Sequence, residues 1–403
     1  MKGNEMEELA HLNVEGIPKE LDLILAIIIN DDRLYRDLTL KENIDWHLFL
    51  ELAMHHRVFP LVYSRLFKQN HGLLPSFVME SLERSYKRNT FHMLHLSAEM
   101  EKINEMFLDN GIKSLFLKGP ILAKELYGDL SLRTSGDIDL LIHIEDIAKA
   151  DRLLVSFGYK QDEYIHSLLN DWKWRHHHFT YYHEAFGTKV EVHWRLNPAP
   201  SNEPAFHELW QRKQRSTTHQ ASRLFFLGNE DLFFFLVTHG ARHGWSRLRW
   251  LADIHQIVEK GLNWTKVELL LRKHKGKKIA GQALILSAVL FQTDVPKDAQ
   301  MFITRKANQL AAQALFYLRN KVNLHSGKVP RDVAKYHALH LFSLMSYQQK
   351  IAYIFMMLHP LYSDLETLPL PRKLHFLYYP LRPFLWTWRK TRNITKYKNM
   401  EVK

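Results

Sequence analysis

Residues 114–142, SLFLKGPILAKELYGDLSLRTSGDIDLLI, spell a strand, a helix and a second strand. The apolar run Ser114–Phe116–Leu117 stops at Lys118-Gly119, as a short buried strand does when a turn follows it. Pro120 then opens a helix, because the first helical position needs no N–H partner. Ile121, Leu122, Leu126 and Tyr127 follow at helical spacing, and Gly128 is placed to end the run. After a polar turn, Gly136-Asp137-Ile138-Asp139-Leu140-Leu141-Ile142 reads as a strand carrying two carboxylates two residues apart.

Side chains at i and i+2 on a strand share a face, with Cα atoms roughly 6.6 Å apart. Asp137 and Asp139 therefore point the same way at the start of a strand that is otherwise buried. Two carboxylates in one partly desolvated spot repel, and one takes up a proton unless a cation sits between them. Oxygen ligands of this kind suit Mg²⁺, which binds through one or two carboxylates and completes its shell with water and substrate phosphates. Upstream, the turn at Gly119 offers backbone N–H groups and the favourable end of a helix dipole to a phosphate, and Lys118 adds a mobile positive charge. A phosphate cradle and a metal seat in one strand–helix–strand unit point to phosphoryl or nucleotidyl transfer.

A glycine turn after a first strand, a helix, then a strand with D-x-D resembles the DNA polymerase β-like nucleotidyltransferase superfamily. A third carboxylate on a later strand completes that pattern. Lys189-Val190-Glu191-Val192-His193-Trp194 alternates as a half-buried strand and puts Glu191 and His193 on one face. More narrowly, K-G-x-x-L-A-x-x-L-Y-G-D, R-x-S-G-D-I-D-L-L-I and V-E-V-H-W-R-L resemble the family of uncharacterised nucleotidyltransferases over roughly residues 40–290. The resemblance implies that Asp137, Asp139 and Glu191 hold Mg²⁺ or Mn²⁺ in a two-metal scheme. In that scheme Asp137 and Asp139 bridge the ions, and Glu191 ligates one or accepts a proton. Lys118, Gly119, Arg133 and Ser135 are the expected phosphate contacts, Arg133 alternatively pinning the turn. Many members carry Gly-Ser in the first turn. This chain has Lys118-Gly119-Pro120, similar to some toxin-type nucleotidyltransferases, and Pro120 has no N–H to offer.

Composition bounds the rest. Length (403 residues) and a 46% hydrophobic share suit a multidomain globular chain. Absent cysteine rules out disulfides and thiolate metal sites, in keeping with a cytoplasmic protein. MKGNEMEELAHL is not patterned as a signal peptide, and Leu23–Ile29 and Ile351–Leu358 fall short of the ~20 residues a membrane span needs. Net charge is +12, and residues 367–403 hold nine Lys or Arg against one Glu, so an anionic partner is expected at that tail.

The expected fold class is α+β, a small mixed sheet with helices embedded in mostly helical flanks. The expected division is a helical region at 1–95, the nucleotidyltransferase core at 96–200, a helical acceptor-side domain at 201–290 and a helical carboxy-terminal region at 291–403. Residues 46–67 and 95–112 read as helix, and 175–183 with 189–195 as a hairpin. His55 and His56 are open to substrate contact or to helix capping. His239 and His243 stand at i and i+4, where packing, substrate contact and zinc are the readings; the H-E-x-x-H motif is absent. Asp253 is open to orienting an acceptor or pairing with Arg249. In His176-His177-His178, strand alternation sends the middle ring to the opposite face, leaving His178 for a nucleotide contact. Trp386 and Trp388, among Arg382, Arg389, Lys390 and Arg392, read as a strip packed on the helical domain, or as a platform for bases or lipid headgroups.

The expected activity is transfer of a nucleoside monophosphate from an NTP to a hydroxyl. The acceptor classes are a sugar, an antibiotic, a modified peptide, a protein side chain or a tRNA end. The alternatives are an inactive nucleotide- or RNA-binding module, and a transferase with another phosphate-containing donor such as a nucleotide sugar.

Overall fold

The computed structural model describes residues 12–69, 74–162, 168–216, 223–324 and 329–400. The amino-terminal dozen read above for a leader falls almost wholly outside these residues, as do the side chains beyond Thr391, Arg392 among them. Helices α1 (Lys19–Ile29), α2 (Asp32–Lys41), α3 (Trp46–His55), α4 (Phe59–Gln69) and α5 (Ser76–Asp109) precede the first strand. Then come β1 (Ser114–Phe116), α6 (Pro120–Tyr127), β2 (Ile138–Ile142), α7 (Ile147–Ser156), β3 (Lys160–Gln161), the short α8 (Trp172–Arg175), β4 (His178–His183) and β5 (Thr188–His193). The chain continues through α9 (Phe206–Gln211), β6 (Gln214–Arg215), β7 (Phe225–Phe226), α10 (Asn229–Arg242), α11 (Leu248–Lys260), α12 (Trp264–Lys273) and α13 (Lys277–Phe291). It ends with α14 (Arg305–Arg319), α15 (Arg331–Leu344), α16 (Tyr347–Leu358), α17 (Tyr362–Thr367) and α18 (Tyr378–Met400). The fold is α+β, a mixed sheet with helical flanks.

The sheet runs β3-β4-β5-β2-β1-β7-β6. β2 is central, antiparallel to β1 and parallel to β5, and all five of its residues are buried. Period-two alternation sorts its side chains. Ile138, Leu140 and Ile142 join a core with Met100, Ile103 and Phe107 of α5. Leu141 joins a second core with Phe233 and Phe235 of α10. Asp139 shares the Leu141 face, so the carboxylate looks toward the carboxy-terminal helices. That second core also takes in α1 through Leu23 and Ile27 and α13 through Leu284 and Leu286, tying the amino-terminal helices to those that follow the sheet.

Residues 46–67 fall in two helices, Arg57 taking a left-handed φ of 56° between α3 and α4. Two expectations are corrected. The helix expected at 95–112 begins at Ser76, its exposed polar face masking the periodicity of the earlier turns. Strand β4 starts at His178, since Trp172–Arg175 closes a helical turn just before it.

Between α10 and α11 the chain reverses through Gly244 and Trp245, with φ of 63° and 55°. The Trp245 indole is fully buried against Gly240. A Cβ at 240 would meet that ring at 2.2 Å. Gly240→Ala should therefore cost ~1–3 kcal/mol, the usual penalty of overpacking, and lower the thermal midpoint. An unchanged melt would contradict this packing.

Candidate active site

The first turn places the phosphate end. Gly119 has φ 84° and ψ −147°, a region that side-chain-bearing residues rarely enter. Pro120 fills the first helical position of α6, and Gly128 closes the helix in the left-handed conformation. The Leu117 N–H donates to the Asp139 carbonyl at 2.9 Å, which brings Lys118 over β2. A Cβ at 119 would stand 3.4 Å from the Asp137 carbonyl. Gly119→Ala should strain the turn by ~1–3 kcal/mol and displace Asp137; a transfer assay should show a loss of roughly tenfold, 1.4 kcal/mol of lost positioning being a factor of ten.

Acidic residues 52 positions apart meet across the parallel ladder, where Asp139 is the register partner of Glu191. His193, two residues on, puts Nε2 3.2 Å from Asp139 Oδ1 and 3.5 Å from Glu191 Oε2. Ligand atoms of Asp139, Glu191 and His193 all lie within 4.8 Å of one another. Lys118 Nζ reaches Asp139 Oδ1 at 2.9 Å, and Lys189 Nζ reaches Glu191 Oε1 at 2.8 Å. Asp137 stands one residue ahead of β2, outside that cluster, and lines a cavity together with Glu191 and His193. Its carbonyl accepts from Ser135 Oγ at 3.1 Å.

Electrostatics separates these carboxyls. Burial, then the neighbouring Asp139, pushes Asp137 up to about 6. Burial also opposes charge on Asp139, yet Lys118 and His193 hold it below the ordinary carboxylate range. Glu191 is likewise held down against its burial, by His193 above all. His193 is raised, because its bonds to Asp139 and Glu191 outweigh burial. Asp139 Oδ2 is buried with no hydrogen-bond partner. An anionic oxygen without a donor, among carboxylates and one imidazole, is a donor set suited to a hard divalent cation.

The cavity is also strongly cationic. The cavity, about 330 Å³, is lined by Arg57, Arg242, Arg247 and Arg249 together with Lys118, Lys189, Asp137 and Glu191. Two turns deliver the arginines. The left-handed turn at Arg57 docks on the start of α11, where the Arg249 N–H donates to the His56 carbonyl at 3.2 Å and Arg247 Nη1 donates to the His55 carbonyl. Arg249 Nη1 also donates to the Thr134 carbonyl at 2.6 Å. Burial and the neighbouring Arg133 and Arg57 lower Arg249 to about 9, and burial lowers Arg242 and Arg247 to about 10. All three stay charged near neutrality, at a cost that an anion in the cavity would relieve.

Other expected residues sit as follows. Arg133 does not border the cavity: it is buried, with Nε and Nη2 donating to Asp253 Oδ1 and Oδ2 at 2.8 and 2.9 Å. The partner of Asp253 is thus Arg133, with Tyr127 Oη at 2.8 Å, rather than Arg249. His239 and His243 both line the cavity, ring centroids 4.6 Å apart, with His243 stacked on Trp250. His56 is buried under α11, its Nδ1 3.4 Å from the Leu248 N–H. His177 lines the cavity together with His178, against the alternation argument, because it precedes β4 and is not bound by the strand's pleat. Burial, then His193, lowers His178 to about 4.

His193 and the arginines at 57, 242 and 247 were missed as site residues. The signal for His193 was its i+2 spacing from Glu191. For Arg242 and Arg247 it was the run of three arginines around Trp245 at 242–249; Arg57 carries no such signal.

No curated protein matches the chain. A family model described as uncharacterised nucleotidyltransferase matches residues 42–292, which takes in α3 and α4, the whole sheet, and α10 to α13. The chain therefore belongs to the uncharacterised nucleotidyltransferase family, and its general activity is nucleotidyl transfer.

Proposed function

We propose that the protein moves a nucleoside monophosphate from an NTP to a hydroxyl of its acceptor, releasing pyrophosphate. The observation that carries this reading is the pairing of Asp139 with Glu191 across parallel strands, with Asp139 Oδ2 undonated and Glu191 lining an arginine-rich cavity. Asp137, Asp139 and Glu191 would hold Mg²⁺, or Mn²⁺, with His193 within reach as a fourth ligand. When bound, such a cation polarises the phosphate and lowers the pKa of the attacking hydroxyl.

The chain's own groups do the rest. The acceptor oxygen bonds to the α-phosphorus as the bond to the α–β bridging oxygen breaks, and the electron pair leaves with pyrophosphate. Lys118, which lines the cavity, would contact the donor's phosphates beside the Gly119 turn, with Ser135 steadying Asp137. Arg57 and Arg249, which line the cavity, would neutralise the charge that collects on the leaving group. Glu191, the register partner of Asp139, would ligate one ion or accept the hydroxyl's proton. Arg133 acts through the turn it anchors. Residues 96–200 serve as the catalytic core, 201–290 as the acceptor side, and the setting is the cytoplasm.

The test offers α-labelled ATP, GTP, CTP and UTP with Mg²⁺ and cell extract to the full chain. Label entering a product, and stopped by chelation, is the expected result. Tight NTP binding with no product would favour the binding-module reading. Movement of a sugar from a nucleotide sugar, without nucleotide label, would favour the other donor.

A further inference from the structure

We infer that the carboxy-terminal helices form a docking face for an anionic lipid surface. The inference does not rest on the catalytic reading. Residues 351–358 of α16, IAYIFMML, are uninterruptedly apolar, yet no residue of that helix is buried. Its exposed Tyr347, Ile351, Ile354, Phe355 and Leu358 recur every three or four residues and so lie along one face. A groove lined by Phe355, Met356, Leu358, Tyr379 and Pro383 joins α16 to α18. Beside it Phe376, Phe384 and Trp386 are 60%, 73% and 53% exposed. The strip expected to pack on the helical domain therefore faces outward. Single exposed apolar residues are ordinary; a continuous face marks an interaction surface.

Charge selects the occupant. Asp364 is buried and neutralised by Arg382 and Arg389. That leaves Lys350, Arg372, Lys373 and Lys390 against Glu366 alone between 347 and 391. The sequence then adds Arg392, Lys396, Lys398 and Lys403 against Glu401. A second copy of the chain would set like charge on like charge across a twofold contact. An anionic bilayer meets both demands: phosphates take the basic groups, and the headgroup–acyl boundary takes the aromatics. Lys390 Nζ lies 4.9 Å over the Trp386 ring, pairing cation and aromatic as such a boundary requires. Among the described residues no helix is long and apolar enough to cross a membrane, so the contact is peripheral.

The full chain is to be sedimented with phosphatidylglycerol–phosphatidylcholine vesicles and with phosphatidylcholine alone, at two salt concentrations. Partition onto the anionic vesicles is expected. It should weaken at least ~10-fold in Phe355→Glu/Phe384→Glu, and to a similar degree in Arg372→Glu/Lys373→Glu. The second pair should also flatten the salt dependence. Thermal melts should stay close to wild type, since the four side chains are exposed. Failure to bind anionic vesicles, binding indifferent to both pairs, binding to RNA in place of vesicles, or a dimer dissociated by the first pair would overturn the inference.

Discussion

Asp139→Asn is expected to lower nucleotidyl transfer at least ~100-fold, the scale on which removing one positioned charge acts in a desolvated site. The substitution keeps the shape of the side chain and an oxygen for Lys118 and His193, which now sit 2.9 and 3.2 Å from Oδ1. What it removes is the charge. Asp139 is fully buried and its Oδ2 has no donor, so the second oxygen contributes to the protein only through what it binds. Mn²⁺ titration should show the affinity falling with the activity. Metal-free NTP binding should change much less, because Arg57, Arg247 and Arg249 line the cavity and are left intact. The melting transition should remain cooperative: loss of an anion beside Lys118 is destabilising, but relief of the repulsion that raises Asp137 offsets part of it. Wild-type transfer by this variant would refute the proposed role of the Asp139–Glu191 pair.

The parts of this site that could be read in the sequence are those specified locally. Pro120 at the first helical position and Gly128 at the end mark α6 without help from tertiary structure; the short apolar run around Asp139 in IDLLI marks β2, and alternation in TKVEVH marks β5 and sorts its faces. Alternation says which way Glu191 points but not which strand lies beside it. That register is set by the cores on both sides of the sheet. The arginine wall was hidden for a different reason. It depends on left-handed backbone at Arg57 and Trp245, residue types that give no turn signal, and on two loops about 190 residues apart docking together. Apolar composition misled at the carboxy terminus. There the reading of Trp386 and Trp388 as packing residues assumed that apolar runs find a core, whereas α16 and α18 leave theirs at the surface.

Asp253→Ala should be the most destabilising single change near the site, by ~3–5 kcal/mol, because it strands a buried guanidinium. Arg133 and Asp253 are 1% and 0% exposed and are joined by two hydrogen bonds, with Tyr127 Oη completing the cluster. Arg133→Met combined with Asp253→Leu removes both charges together and should melt above Asp253→Ala, which a thermal or denaturant series would measure. The same pair decides what Arg133 does in catalysis. The turn at 131–135 is also held from α5, where Asn89 Nδ2 donates to the Ser131 carbonyl at 2.9 Å and His92 Nε2 lies 3.1 Å from the Ser135 carbonyl. In the double variant those tethers and the Arg249 bond to the Thr134 carbonyl persist, while the Asp253 anchor is gone. If Arg133 acts by positioning, Ser135 and Asp137 lose precision and kcat falls with little change in KM for NTP. A guanidinium that touched the phosphates would instead raise KM when removed. Because its Nε–Nη2 edge is spent on Asp253 and its Nη1 donates to the Thr134 carbonyl, the first outcome is the expected one.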